Sequence, residues 1–259
     1  MTERPSAAKA PYAVPALEKA FEIIELLADA GEPMLVSEIA ARLERSMGEL
    51  FRIVVMMERH GYLLKSGTDD RYSVSYKLLD VAYRATPARN LVQVATPEMQ
   101  ALVHAAGQSC HLVVVRDDHG LILAREENPG VRGFALRQGA SIDILRSCSG
   151  RVLLAFSPAA VAQRILQRAD TGRAGDVASA GTWMAELRTR GFGMQDSPVV
   201  RGVTDISVPV FGFGHELMAA LTIPFLELVD GSQRIDRAEA CRLLVETAHR
   251  ISGRLGDSA

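Results

Sequence analysis

Arg52 lies in the stretch of the sequence whose residue types and spacing best suit contact with a nucleic acid. This stretch, Ser37 to His60, holds two short apolar-periodic segments with only Glu44 and Arg45 between them, and Ser37 is placed to cap the first segment. Two helices joined so tightly have the proportions of a helix-turn-helix, whose second helix can enter a major groove. An arginine there can bind guanine bidentately or clamp a phosphate. An ordinary helical hairpin with a solvated charged face is the alternative that these residues alone leave open.

The second helix is predicted to begin with Met47, directly after Ser46. Ser46 and Glu49 have the spacing of a capping box, although Glu49 could instead accept a hydrogen bond from cytosine. Because they start the helix, Met47, Gly48 and Phe51 are near enough to reach base edges or thymine methyl groups. The apolar side of this helix is predicted to consist of Met47, Leu50, Phe51, Val54 and Met57.

Ser147, Ser149 and Gly150 form a second group with recognisable chemistry, because they directly precede a strongly apolar run. They are predicted to place hydroxyls and free amides at a helix N-terminus, which favours an anion such as a carboxylate. A serine that only caps a core helix is the alternative.

The remaining polar residues contain no recognisable enzyme or metal motif. The groups of a hydrolytic set occur at Ser149, Asp205 and two histidines, His111 and His215. However, the sequence has no Gly-x-Ser-x-Gly nucleophile elbow, and neither histidine belongs to a cluster with metal-ligand spacing. Neither a disulfide framework nor a cysteine zinc site is indicated by the three well separated cysteines, Cys110, Cys148 and Cys241. We therefore predict no catalytic residue, metal or cofactor.

The elements around Arg52 predict a winged helix-turn-helix. A helix over Ala16–Ala30 precedes the helical pair, and residues 62–65 and 71–74 read as two strands around a Gly/Asp turn. Three helices followed by such a hairpin favour DNA binding over the plain helical hairpin. Lys65 and Arg71 flank the predicted wing, so we interpret them as phosphate contacts that fix register.

Length and composition predict two domains in the 259 residues, of which 48% are hydrophobic and 23% charged. There is neither a signal peptide nor an apolar run long enough to span a bilayer, so a cytoplasmic location is expected. The net charge is −2, and residues 1–85 contain 11 basic against 13 acidic residues. A nucleic-acid domain usually has a basic patch, which here must arise from the placement of side chains.

The second half predicts an α+β domain, in which strands of one sheet are flanked by helices. Thr96 is predicted to cap its first helix, with Pro97 in the first turn. Asp236 is predicted to cap the last helix. Strands are predicted at residues 111–116, 121–125, 134–136, 191–194, 206–211 and 217–225.

The sequence from Ala16 to Leu255 resembles the IclR family of bacterial transcriptional regulators. Each matching motif is weak alone, and their order and spacing together carry the resemblance. The motifs are Leu35–Ala40, Phe51–Arg52, Glu58–Tyr62, Ser149–Ala155, Arg190–Phe192 and Gly202–Phe211.

This resemblance implies an N-terminal winged helix-turn-helix, a linker helix and a C-terminal GAF-like domain that binds a small effector. The corresponding domains are a flexible arm at residues 1–13, the DNA-binding domain at 14–75, the linker helix at 76–90 and the effector domain at 91–259. It also implies homodimers or homotetramers on partly palindromic double-stranded operator DNA, control of a catabolic operon by repression or activation, and no membrane partner.

The family resemblance places the effector site at Ser147, Ser149 and Gly150 together with Asp196, Val203, Asp205, Thr222 and Pro224. Many members have cysteine where this chain has Asp205. A carboxylate there would repel an acidic effector unless it is protonated or paired, so it is expected to face a hydroxyl, an amine or Arg201. With these conditions on Asp205, the effector is expected to be an organic acid or an aromatic or hydroxylated metabolite. A small-molecule hydrolase and an effector-binding module without DNA-binding activity are the alternatives.

Overall fold

A helix-turn-helix followed by a β-hairpin opens the computed structural model, which describes residues 14–85, 88–131, 133–169 and 174–257. The arm predicted at residues 1–13 lies outside the described residues. The chain divides between residues 86 and 87 into two compact units. None of the described helices is long and apolar enough to cross a membrane.

The first unit confirms the predicted winged helix-turn-helix. Its elements are α1 (Pro15–Ala30), α2 (Val36–Arg42), α3 (Met47–Arg59), β1 (Leu63–Lys65), β2 (Tyr72–Val74) and α4 (Lys77–Ala85). The two strands pair antiparallel, with Leu63 opposite Val74. Side chains from all three leading helices and from the wing form one core, which includes Ile23, Leu27, Ile39, Leu50, Val54, Leu63 and Tyr72.

The turn between α2 and α3 is stabilised differently from the sequence-based prediction. Glu44 adopts the left-handed conformation, with φ of 54°, and the Arg45 amide donates to the Ala40 carbonyl at 3.0 Å. Ser37 lies inside α2, whose N-cap is Leu35, so the predicted Ser37 cap is wrong. The reason is that the Glu38 carboxylate accepts from the Leu35 amide at 2.9 Å, which satisfies the start of the helix two residues earlier.

The capping box predicted at the start of α3 is also wrong. Ser46 is the N-cap residue, but its side chain makes no capping hydrogen bond. The Glu49 carboxylate instead forms an ion pair with Lys19 of α1. The ammonium group of Lys19 thus binds the Glu49 carboxylate, which a capping box would have bonded to the Ser46 amide.

The two sides of α3 differ from the predicted apolar face. Leu50, Val54 and Met57 are buried against the core, whereas Met47 is 58% exposed and Phe51 53% exposed. At 100° per residue, Met47 and Phe51 lie within about 60° of Val54, on the side away from Leu50 and Met57, so they stand at the edge of the buried face. Their exposure assigns Met47 and Phe51 to the outward surface of the helix.

The second unit is an α+β domain built on one antiparallel sheet, as predicted. Its strands are β3 (Cys110–Arg116), β4 (His119–Glu126), β5 (Ser141–Ile142), β6 (Gly193–Asp196), β7 (Val203–Gly212) and β8 (Glu216–Leu226), in the order β5-β4-β3-β8-β7-β6. Its helices are α5 (Ala88–Ala106), α6 (Cys148–Phe156), α7 (Ala159–Arg168), α8 (Ala174–Ala178), α9 (Ala180–Arg190) and α10 (Arg237–Arg254).

Two local predictions for this unit are wrong. Pro97 lies inside α5, which begins at Ala88, so Thr96 does not cap the helix. The Thr96 hydroxyl donates to the Val92 carbonyl at 2.8 Å, a backbone-directed bond that a threonine can make within a helix. Residues 134–136, predicted as a strand, carry no strand, and β5 forms instead at Ser141–Ile142.

The sheet separates an apolar face from a second face that mixes apolar and polar side chains. Ile206, Val208 and Leu221 pack with residues of α5 and α10. The side chains between them alternate to the other face, because successive residues of a strand point to opposite sides. That second face carries Asp205 and Thr222 and lies towards α6, whose Val152 packs against the sheet.

Candidate functional site

Between Met47 and Val55, the outward surface of α3 in the first unit presents one arginine among apolar side chains. Met47, Gly48, Phe51, Arg52 and Val55 are all exposed. Arg52 forms no ion pair or hydrogen bond with any of the described residues. Its guanidinium is therefore free to bind a partner outside the chain.

Four other basic side chains of this unit, Lys19, Arg45, Lys65 and Arg71, are paired with carboxylates. Arg45 contacts Glu22 at 3.3 Å, Lys65 contacts Asp70 at 2.8 Å, and Lys19 contacts Glu49. Asp70 also raises the pKa of Lys65 by accepting its hydrogen bond. These pairs explain how a unit with more acids than bases keeps a cationic spot at Arg52.

Arg71 links the wing to α2. Its guanidinium donates to both carboxylate oxygens of Glu38, at 2.8 and 3.0 Å, and to the Pro33 carbonyl at 3.0 Å. The Leu35 amide and Arg71 together hold the pKa of Glu38 below its usual value. Phosphate contact by Lys65 and Arg71 stays a prediction, and the Arg71 fork already has internal partners.

The second unit contains a cavity of about 350 Å³ at the N-terminus of α6. Its polar lining comes from four strands, from α6 and from the loops beside them: His111, Ser141, Asp143, Arg146, Ser147, Ser149, Ser197, Asp205 and Thr222. Its apolar lining consists of Phe134, Leu136, Ile142, Pro198 and Val199. The volume is near the lower end of the range for small-molecule sites.

The cavity brings together half of the residues predicted to bind an effector. Ser147, Ser149, Asp205 and Thr222 line it. The residues that do not line it are Gly150, Asp196, Val203 and Pro224. Sequence reasoning assigned His111 to a strand and overlooked Arg146 and Ser197. Their residue types could have suggested them, because an arginine or a serine in a loop can hydrogen-bond to a small molecule.

Each of the four excluded residues has another structural role. A Cβ atom at Gly150 would lie 2.5 Å from both the Cα and the carbonyl oxygen of Ile144, so the glycine lets α6 approach that backbone. Val203 is only 2% exposed, and Pro224 is paired in register with Asp205. Asp196 accepts from the Thr204 hydroxyl at 3.4 Å.

The two serines at the start of α6 differ in whether their hydroxyls already have hydrogen-bond partners within the protein. Ser147 is the N-cap; its hydroxyl accepts from the Gly150 amide at 3.1 Å and donates to the Asp143 carbonyl at 2.6 Å. Ser149 is 3% exposed, and its hydroxyl has no hydrogen-bond partner among the described residues. Ser147 thus plays the capping role, while the Ser149 hydroxyl can bind a molecule in the cavity.

Asp205 is a partly buried carboxyl without an ion-pair partner among the described residues. Burial raises the pKa of Asp205 to about 6, although a hydrogen bond from Ser197 acts in the opposite direction. Arg201, a predicted partner, is exposed and forms no ion pair with it. This carboxyl can therefore accept from a hydroxyl or an amine, or donate when it is protonated.

His111 is the most deeply buried titratable group of the lining. It is 3% exposed, and neither ring nitrogen has a hydrogen-bond partner among the described residues. Burial lowers the pKa of His111 to about 4, so the ring is neutral at pH 7. Its neighbour across the sheet is Thr222, whose hydroxyl shares a 2.8 Å hydrogen bond with Ser207.

The cavity also contains three groups of the hydrolytic set, Ser149, Asp205 and His111. No hydrogen bond joins them within the described residues, so the serine is not connected to a base as a nucleophile requires. The other histidine, His215, stacks on Phe211 with ring centroids 3.9 Å apart. This geometry favours binding over hydrolysis.

Two sequence profiles match most of the chain. The profile described as "IclR helix-turn-helix domain" matches residues 16–67, and that described as "Bacterial transcriptional regulator IclR C-terminal" matches residues 83–253. The HTH-type transcriptional regulator KdgR of Escherichia coli is 24% identical over 253 residues, which cover 96% of this chain and 95% of KdgR. The probable transcriptional regulator SauR of Cupriavidus necator is 25% identical, over 79% of this chain and 83% of SauR.

Solved structures share the fold. An IclR homolog from Microbacterium hydrocarbonoxydans, complexed with 4-hydroxybenzoate, superposes with a TM-score of 0.77 at 22% identity, over 93% of this chain and 98% of the other. HmgR of Pseudomonas aeruginosa superposes with a TM-score of 0.75 at 21% identity, over 94% of this chain and 100% of HmgR.

Proposed function

Because the chain belongs to the IclR family of bacterial transcriptional regulators, we propose that it binds operator DNA through α3 and a small effector in the cavity at α6. It is a regulator with a helix-turn-helix DNA-binding domain and a C-terminal effector-binding domain. We propose further that it acts in the cytoplasm on a catabolic operon. The observation that carries the proposal is the unpaired Arg52 on the outward face of α3.

The DNA contact is supported by the position of Arg52 in the second turn of the recognition helix. The first residues of such a helix lie nearest the bases, and a guanidinium can bind guanine or clamp a phosphate. The test is the affinity of the full chain for the DNA upstream of its own gene, compared with shuffled DNA of equal composition at several salt concentrations. A preference for the upstream DNA supports the proposal. Equal affinities would favour a module that binds effector only.

The proposed assembly is a homodimer or a homotetramer that binds a partly palindromic operator. The basis is that a two-fold symmetric site matches a two-fold symmetric protein. Residues 76–90, proposed as the linker, would transmit a change in spacing or tilt between paired DNA-binding domains. An effector can cause such a change only if it binds the two arrangements with different affinities. Sedimentation equilibrium of the full chain, with and without operator DNA, distinguishes these states from a monomer.

The proposed effector is a small hydroxylated molecule with an apolar body, such as a hydroxylated aromatic compound. Phe134 and Leu136 offer the apolar wall, and Asp205 offers a carboxyl that can accept from a hydroxyl. The Ser149 hydroxyl, at the N-terminus of α6, suits an acidic group at the other end of the molecule. The 4-hydroxybenzoate held by a protein of the same fold has both kinds of group.

The effector proposal is tested by heating the protein with 4-hydroxybenzoate or benzoate, which differ only in the hydroxyl. Trp183, the one tryptophan of the chain, lies in the second unit, so its fluorescence reports the unfolding of that unit. A ligand at about 100 times its dissociation constant adds roughly 2.7 kcal/mol to the free energy of unfolding. We expect the hydroxylated compound to raise the Tm more than benzoate, and the difference to vanish in Asp205→Asn. Equal shifts in the wild type would contradict the role of Asp205.

Ser149→Ala tests the proposed contact of Ser149 with the acidic end of the effector. Removal of its free hydroxyl should weaken the binding of 4-hydroxybenzoate, because no other described residue uses that group. The matched control is Ser157→Ala, a buried serine at the opposite end of α6 that does not line the cavity. An equal loss in both variants would mean that any disturbance of α6 produces the effect.

A further inference from the structure

Apolar side chains dominate the surface that α3 presents to solvent. Met47 is 58% exposed, Phe51 53%, Met56 51% and Val55 37%. Exposed apolar residues are ordinary when they are scattered, but neighbouring ones on a helix indicate a binding surface. Met47, Phe51 and Val55 recur every four residues and so form one stripe, which spans about 12 Å at a rise of 1.5 Å per residue.

The helix offers very few polar groups for reading bases. Between Met47 and Arg59 the sequence contains no Asn or Gln, which commonly bind adenine. It also contains no Ser or Thr, whose hydroxyls can hydrogen-bond to either donors or acceptors on the bases. Glu49 could accept from cytosine, but its carboxylate is held by Lys19. Arg52 is therefore the main residue on this face that can read a base edge by hydrogen bonding.

One feature of the major groove is apolar, namely the C5-methyl group of thymine. We infer that α3 distinguishes its operator chiefly through thymine methyl groups, which contact Met47 and Phe51, while Arg52 binds a guanine or a phosphate beside them. This inference rests on the proposed function, in which α3 enters the major groove. The 12 Å stripe is about as long as three to four stacked base pairs, so Val55 extends the contact along the groove.

Deoxyuridine provides the direct test, because it keeps the hydrogen-bonding groups of thymine and lacks only the methyl. The DNA upstream of the gene is amplified once with dTTP and once with dUTP, and the affinity of the full chain for both products is measured by titration. The expected result is binding to the uracil product that is about 10-fold weaker or more. Affinities that agree within about twofold would overturn the inference while leaving the proposed function intact. Failure to bind either product with preference over shuffled DNA would overturn both.

A double variant separates methyl contact from any change in DNA shape. Met47→Ser with Phe51→Ser should bind the thymine and uracil products equally, because both side chains that contact methyls are gone. Leu17→Ser is the matched control: Leu17 is 52% exposed on α1, so the variant removes an exposed apolar side chain elsewhere in the same unit and should keep the discrimination. Both changes are on the surface, and circular dichroism checks that the variants fold.

The competing occupant of this surface is a second copy of the chain. Sedimentation equilibrium of the double variant without DNA tests that alternative. An unchanged oligomeric state together with loss of discrimination supports thymine reading. A weakened oligomer that still discriminates thymine from uracil would overturn the inference and assign the stripe to an interface between copies.

Discussion

The two units place their binding chemistry in opposite ways. In the first, the candidate contacts lie within ten residues of one helix, point outward, and include the unpaired Arg52, while Lys19 and Arg45 nearby form surface ion pairs. In the second, they come from residues 111 to 222, enclose a cavity, and include a carboxyl and an imidazole without charged partners. A partner as large as a duplex must be met by an exposed ridge, whereas a small molecule can be surrounded.

This contrast also determines where electrostatic energy is stored. Exposed ion pairs such as Arg45 with Glu22 each contribute at most about 1 kcal/mol, because water and salt screen them. Burial, in contrast, raises the pKa of Asp205 to about 6 and lowers the pKa of His111 to about 4. The cavity is therefore preorganised at a cost in stability that the exposed face of α3 does not incur.

The largest effect that we expect from a single substitution comes from Gly150→Ala in α6. The added Cβ would lie 2.5 Å from backbone atoms of Ile144, which cannot move aside as a flexible side chain can. Overpacking of this kind destabilises by about 3 kcal/mol. Urea unfolding followed by Trp183 fluorescence measures the loss. A change below about 1 kcal/mol would mean that α6 can shift, and that the cavity is less rigid than the comparison of the two units implies.

Arg52→Ala should weaken binding to the upstream DNA by about 10- to 100-fold, which corresponds to 1–3 kcal/mol for a base-contacting arginine. The matched control is Arg45→Ala, which removes an arginine that already pairs with Glu22. Fluorescence anisotropy with labelled DNA gives both affinities. Equal losses would show that net charge, rather than the unpaired position of Arg52, decides DNA binding.

The pH dependence of stability should reveal two opposing groups in the cavity. Asp205 has a pKa of about 6, above its usual value, so its contribution to stability falls as the pH rises from about 4 to 6. His111 has a pKa of about 4, below its usual value, so its contribution rises as the pH rises from about 4 to 6.5. In the wild type these two contributions should therefore largely cancel each other.

Single variants should unmask these opposing contributions, each on the order of 2–3 kcal/mol, with that of Asp205 reduced by its partial exposure. Relative to the wild type, Asp205→Asn gains stability as the pH rises from 4 to 6, and His111→Gln loses it. Urea titrations of Trp183 fluorescence at several pH values give both difference curves, and charges shared with the wild type cancel. The other charged residues in the lining, Asp143 and Arg146, remain in both variants. Difference curves of the same sign would contradict the assignment.

Gly48→Ala is expected to have the smallest effect and the opposite sign from Gly150→Ala. A Cβ atom at Gly48 meets nothing within 4 Å, and alanine is favoured over glycine inside a helix by about 0.8–1.0 kcal/mol. The DNA-binding unit should therefore become slightly more stable, as thermal melting of its helical circular dichroism would record. Destabilisation would show that the start of α3 is held in a conformation that alanine does not favour.

Sequence patterns predicted the first unit better than the second for a physical reason. Helical periodicity and the Gly/Asp turn are local signals, so three helices and a wing could be predicted from adjacent residues. The ion pair of the Glu49 carboxylate with Lys19, which replaces the predicted capping bond to Ser46, was not predictable in this way, since it depends on how α1 packs. Met47 and Phe51 were placed both on the apolar side of the helix and among the possible base contacts, and the exposure of their side chains agrees only with the second placement.

The cavity could be predicted only in part. Ser147 and Ser149 are adjacent to an apolar helix and were recognisable by type, and Asp205 and Thr222 came from the family resemblance. His111 reaches the cavity because β3 pairs with β8 in a register that sets it opposite Thr222, which no local pattern specifies. Gly150, in contrast, was assigned to binding although the backbone of Ile144 is what requires it.

The central claim is that occupancy of the α6 cavity changes DNA binding by α3. The most direct measurement is the affinity of the full chain for its upstream DNA with and without a saturating compound that raises the Tm of the wild type but not of Asp205→Asn. We predict a change of about 5- to 150-fold in the wild type, the usual range for coupled sites, and none in Asp205→Asn. A compound that occupies the cavity at saturation and leaves the wild-type DNA affinity unchanged would contradict the claim.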